Sequence, residues 1–129
     1  MATRIFLGLS ALVWLPYGIF CFFQPGYLGE AAGVAIGSTT GSIEIRAMYG
    51  GLQAAIGLLA LLALFRSDWL RPALVMLLFL PAGLGTARLL GALLDSEVSA
   101  YTGFALAFEF ASVSAAAWLL RSTPAAATA

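Results

Sequence analysis

The chain has 129 residues, 62% hydrophobic and only 9% charged, with a mean hydropathy of +1.00 and six arginines balanced by six carboxylates. A soluble domain of this composition would lack the polar surface to stay dissolved, and there is no basic stripe to neutralise nucleic-acid phosphates. With no histidine and no lysine, and Cys21 its one cysteine, the chain by itself has no Ser-His-Asp or Cys-His constellation, Schiff-base amine, internal disulfide or thiolate metal cluster.

A membrane span needs roughly 20 consecutive apolar residues to cross a hydrocarbon core of about 30 Å. Four segments qualify, 5–23, 43–65, 72–94 and 101–120. They predict an all-α, four-helix transmembrane bundle, organised as a single membrane domain over residues 1–121 with a flexible tail over 122–129. The first run follows Arg4 as a signal peptide would, but it is longer than a typical signal core. It leads into Gln24-Pro25-Gly26 with no Ala-x-Ala-like site, so it is expected to stay as an uncleaved span. Between the first two runs, Pro25, Gly26, Gly29, Gly33, Gly37 and Gly41 argue against one continuous helix. A short interfacial turn is expected from Glu30 to Ile36, covering the outer mouth of the bundle.

Charges outside the spans sort by loop. Arg4, the turn from Arg66 to Arg71, and Arg121 lie on one side; Glu30, Asp95 and Glu97 lie on the other. The positive-inside rule then predicts that both termini and the turn from Arg66 to Arg71 face the cytoplasm. Trp69 is suited to the head-group belt on that side.

Within the spans, small and polar residues recur at helical spacing. In the second, Arg46, Tyr49, Gly50, Gln53 and Gly57 form one stripe; in the third, Pro81, Gly85, Arg88, Ala92 and Asp95; in the fourth, Thr102, Ala105, Glu109, Ser112 and Ala116. Such faces are expected to turn inward, since helices in lipid associate where small residues let backbones approach. Gly51, Gly83 and Gly91 add to the small-residue count, and Pro16 and Pro81 are expected to kink their helices.

At 1.5 Å per residue, Arg88 lies about 9 Å and Glu109 roughly 13 Å from the external ends of their helices, with Gln53 about as deep. The charged and polar groups therefore fall in the outer half of the membrane. A charge near mid-membrane costs roughly 2.5 to 3.5 kcal/mol, so it should be paired, and Arg88 with Glu109 is the expected pair. Arg46, Tyr49, Gln53, Arg88 and Glu109 are the candidate ligand-binding residues. Glu44, as a helix-start cap, and Asp95 are expected in supporting structural roles. No metal site and no cofactor are evident. The stripe fits a small amphipathic or lipid-like ligand; a quinone, with Glu109 and Tyr49 relaying protons, is the redox alternative. A purely structural partner of a membrane complex, with a buried ion pair that sets helix register, is the third reading. The glycine-rich faces suit a homo-oligomer or a larger membrane complex as well as the monomer core.

The string Glu44-Ile-Arg-Ala-Met-Tyr-Gly-Gly51 resembles the signature of the small bacterial membrane family called domain of unknown function 4345. The resemblance continues through Ala87-Arg-Leu-Leu-Gly91, Asp95 and Phe108-Glu-Phe110. It implies a four-span inner-membrane protein and no established activity. The architecture is also similar to that of DoxX-like proteins, some of which accompany quinone-linked oxidoreductases.

Overall fold

The computed structural model describes residues 1–122, which are helical almost throughout and contain no strand. Helix α1 covers Ala2–Phe23 and the short helix α2 covers Tyr27–Ala32. The second span runs from α3 (Thr39–Ile45) through a π-helical turn (Arg46–Gly51) into α4 (Leu52–Ala63). A 3-10 turn at Ser67–Trp69 leads into α5 (Leu70–Asp95), and α6 covers Ala100–Ser122. Four stretches are long and apolar enough to cross a membrane: Ala2–Phe23, Thr39–Ala63, Ser67–Asp95 and Ala100–Ser122. The fold is the expected all-α bundle of four spans. Ser122 closes α6, and the rest of the expected tail lies outside the described residues.

Helix starts lie outside the apolar runs because polar residues cap them. The Ser38 side chain accepts from the Gly41 amide at 3.0 Å, so the second helix begins at Thr39. The Ser99 hydroxyl accepts from the Thr102 amide at 3.1 Å and starts α6. This corrects the expectation for Glu44, which lies exposed in the last turn of α3 and caps nothing there. The loop after α1 also differs from expectation. Its helix comes earlier, at Tyr27–Ala32, and Gly33 ends it in the left-handed conformation (φ 69°), which a residue without Cβ adopts freely.

The bundle is built from two antiparallel hairpins: α1 packs chiefly along the second span, and α5 along α6. Glycine sets the first seam. A Cβ at Gly18 would collide with the Ala54 backbone, one at Gly57 with the Leu15 backbone, and one at Gly50 would stand 2.8 Å from Phe22 Cβ. In lipid, such close backbone approach is what holds helices together. Gly83 and Gly91 do not serve this purpose, because a Cβ on either would meet nothing within 4 Å.

Arginines tie the helix ends. Arg4 Nη1 donates to the Leu64 carbonyl at 2.6 Å, and Arg71 Nη1 to the Leu120 carbonyl at 3.0 Å. At the opposite end, Arg46 Nη1 donates to the Phe22 carbonyl. Each guanidinium meets a last-turn carbonyl that its own helix leaves unbonded, where a cation also complements the helix dipole. These contacts place the chain start, the α4–α5 connection and the end of α6 at one end of the bundle. Arg66 sits there too, 3.6 Å from Asp68 and over the Trp69 ring.

The dry core fills the half nearest that end. Leu7, Ala11 and Trp14 of α1 meet Ile56, Ala60 and Ala63 of α4, Ala73, Leu74 and Leu77 of α5, and Ala116 and Leu119 of α6. The abundance of alanine there lets the four helices close on one another.

Substitution at two glycines should separate packing from propensity. Gly57→Ala drives a methyl into the α1 backbone and should lower the unfolding free energy in detergent by about 1–3 kcal/mol. Gly91→Ala meets open space and should raise it by about 0.5–1 kcal/mol through helix propensity alone.

Candidate functional site

The half of the bundle away from the alanine-rich core holds a cavity of about 570 Å³. All four spans and α2 line it: Val13, Trp14 and Tyr17 from α1, Tyr27 from α2, and Met48, Tyr49, Leu52, Gln53 and Ile56 from the second span. Phe79, Leu80, Gly83, Leu84 and Arg88 come from α5, and Tyr101, Phe104, Ala105, Phe108 and Glu109 from α6.

Its polar centre is the Arg88–Glu109 pair. Arg88 Nη2 donates to Glu109 Oε1 at 2.8 Å, and Nε is shared between Oε2 at 3.1 Å and Oε1 at 3.2 Å. Glu109 is buried at 3% exposure, while a quarter of the Arg88 side chain (25%) remains exposed. The two residues lie about 10 Å and about 13 Å from the nearer ends of α5 and α6 at 1.5 Å per residue. Gly85 allows the approach: a Cβ there would stand 3.3 Å from Glu109 Cβ and 3.4 Å from Oε2. Buried ionic groups in hydrocarbon are costly unless paired and hydrogen-bonded, and a fork-to-carboxylate contact satisfies both demands.

Around the pair stand aromatic groups. The Arg88 guanidinium lies 6.0 Å from the centre of the Tyr101 ring, and the Tyr101 and Tyr17 hydroxyls are 3.4 Å apart. All four tyrosines of the chain line the cavity, each from a different element. Trp14 packs against Phe108 with ring centres 5.8 Å apart, and its indole Nε1 is buried without a hydrogen-bond partner among the described residues.

Of the five candidate residues, Tyr49, Gln53, Arg88 and Glu109 meet in this cavity. Arg46 does not. Its guanidinium lies 5.7 Å from the centre of the Phe22 ring and donates to the Phe22 carbonyl. The single stripe drawn through the second span separates into two faces. Arg46, Gly50 and Gly57 turn toward α1, and Tyr49, Gln53 and Ile56 toward the cavity. A π turn, here closed by Leu52 N–H to the Ala47 carbonyl, carries more residues per turn than the 3.6 assumed, so positions on either side of it lose their alignment. Asp95 ends α5 and is exposed, away from the cavity lining.

Trp14, Tyr17, Tyr27 and Tyr101 were not among the candidates drawn from the sequence. A usable signal existed, since an amphipathic ring within or beside each apolar run wants a wet or hydrogen-bonding partner for its polar tip. Among the described residues no cluster of three metal-ligating side chains occurs, and Cys21 is buried as a free thiol. Glu109 spends both oxygens on Arg88. The arrangement therefore offers hydrogen-bond donors within apolar walls.

A mutant cycle measures the pair. Glu109→Ala leaves a buried guanidinium uncompensated and should destabilise the protein by about 3–5 kcal/mol, whereas Arg88→Met with Glu109→Leu should recover most of that loss. Unfolding of Arg88→Met, Glu109→Leu and their double variant in one detergent, beside the unaltered protein, gives the coupling directly.

Comparison with known proteins found no match among curated proteins and none among solved structures. One family model matches, and it covers residues 2–120, nearly the whole chain and every residue of the cavity lining. The chain therefore belongs to the family described as Domain of unknown function (DUF4345).

Proposed function

We propose that this multi-pass membrane protein binds a small amphipathic, lipid-like molecule in the cavity between its two hairpins. One observation carries this reading: the same cavity combines a partly exposed guanidinium and four phenols with an apolar rim. Met48, Leu52, Phe79, Leu80 and Leu84 on that rim are exposed on the second span and α5. A polar head can sit among Arg88, Tyr17, Tyr49, Gln53 and Tyr101 while its chain lies along the rim into lipid. Concave, mostly apolar sites with a few convergent polar groups are the usual form of a small-molecule site.

Arg46 is given a different role from the one expected. It joins the second span to the end of α1 from the first position of the π turn that presents Met48 and Tyr49 to the cavity. A quinone belongs to the same class of occupant, because its ring oxygens would meet the same donors; its presence would be read from the mass of the bound species.

The proposed location is the bacterial inner membrane with both termini in the cytoplasm. It is supported by Arg4, Arg66, Arg71 and Arg121 gathering at one end, with Glu30, Asp95 and Glu97 at the other.

Native mass spectrometry of the detergent-purified protein should show a stoichiometric lipid-sized adduct. Gly83→Trp, which fills the cavity from a site with open space around it, should reduce that adduct by about ten-fold or more while leaving the helical content unchanged. An adduct equally abundant in Gly83→Trp would refute binding in this cavity. For topology, a reporter that works only in the cytoplasm should be active when fused after Ala129, and activity of a periplasm-only reporter at that position would reverse the proposed orientation.

A further inference from the structure

Among the described residues the cavity lining has one cationic side chain, Arg88, and one anionic side chain, Glu109, and they neutralise each other. What remains unpartnered there is an excess of donors. Arg88 Nε and Nη2 are taken by Glu109, and Nη1 has no acceptor among the described residues. Trp14, 5% exposed, keeps an indole N–H with no partner among the described residues. Guanidinium and indole groups can only donate, and a buried donor left unpaired is costly. The Tyr49 hydroxyl and the Gln53 amide also lack a hydrogen-bond partner among the described residues, and both can donate.

We propose that the occupant's head group is uncharged and presents hydrogen-bond acceptors, as an ester or ketone carbonyl does, and that the cavity discriminates against carboxylate and phosphate heads. This rests on the ligand-binding reading above and narrows it to a chemical class. An anionic oxygen placed against Nη1 would share a guanidinium whose charge Glu109 already offsets, with no second cation in the described lining. Lysine and histidine are absent from the chain, and Arg46 is held outside the cavity at Phe22. Such an anion would surrender its hydration at the head-group surface and meet a like charge in a low-dielectric site. A cationic head would face Arg88 while Glu109 is already saturated. A neutral carbonyl accepts from the free donors and brings no charge that needs compensation.

Trp14 makes the test specific, because its ring lines the cavity. In a Trp69→Phe, Trp118→Phe protein it is the sole tryptophan, and bromine on an acyl chain quenches a tryptophan that it touches. A dibrominated stearic acid and its glycerol monoester share one tail and differ only in the head. Each is titrated into the protein in detergent micelles, at a pH where the acid is ionised. The monoester should quench Trp14 saturably at a concentration about ten-fold or more below that needed for the carboxylate. Gln53→Lys adds the missing cation and should invert that order; Ala105→Lys serves the same purpose should the first variant not fold.

Saturable quenching by the carboxylate at an equal or lower concentration in the unaltered cavity would overturn the head-group inference and leave the binding reading standing. A lysine variant that folds and still prefers the monoester would also overturn it. Absence of saturable quenching by either compound would remove the binding reading itself.

Discussion

In hydrocarbon a polar group without a partner costs several kcal/mol, and this constraint accounts for where four of the six arginines of this protein go. Three of them reach across to a neighbouring helix and take a carbonyl from its last turn: Arg4 at Leu64, Arg71 at Leu120 and Arg46 at Phe22. Each contact satisfies a backbone acceptor and ties two elements together at a bundle end. Arg88 lies too deep for such an end, about 10 Å from the close of α5. It takes a carboxylate from the facing helix, so its interaction can form only when α5 and α6 are in register.

That register in turn depends on the absence of side chains. Gly85 gives Glu109 room beside α5, just as Gly18, Gly50 and Gly57 give α1 and the second span room to meet. Nothing in a bilayer forces these helices together through hydrophobic burial, since lipid tails are as apolar as leucine. Close packing at glycine and alanine, with hydrogen bonds inside each hairpin and at the helix ends and the Tyr17–Tyr101 contact across the hairpins, supplies the association. At the arginine-rich end, alanines at 60, 63, 73 and 116 let all four spans close into a dry core. At the other end tyrosines, phenylalanines and the ion pair occupy the space between the hairpins, and they leave a cavity.

The division between a closed half and an open half is therefore a consequence of side-chain volume distributed along the helices. It gives the protein a polar recess reached past exposed apolar residues of the second span and α5, with α2 packed against α6 at the end away from the alanine-rich core and Tyr27 contributing to the lining. The proposed occupant, a molecule that already resides in the bilayer and carries its polarity at one end, fits such a recess.

The four apolar runs, their separation by turn residues and the sorting of arginine by loop were determined by the sequence alone, because hydrocarbon thickness and backbone satisfaction leave a helix as almost the sole solution for each run. The Arg88–Glu109 pair was legible for the same reason: two opposite charges within adjacent spans have few other partners. The fate of Arg46 was not legible. Its alternatives, a cavity ligand or a carbonyl at the end of α1, differ by a local change in helical pitch at Arg46–Gly51 and by the proximity of Phe22, 24 residues earlier. The four tyrosines and Trp14 are likewise scattered through the chain, and only the packing of two hairpins brings them around one space. Periodicity specifies which residues share a face, whereas the partner that a face meets is set by how closely the backbones can approach, and only the assembled bundle decides that.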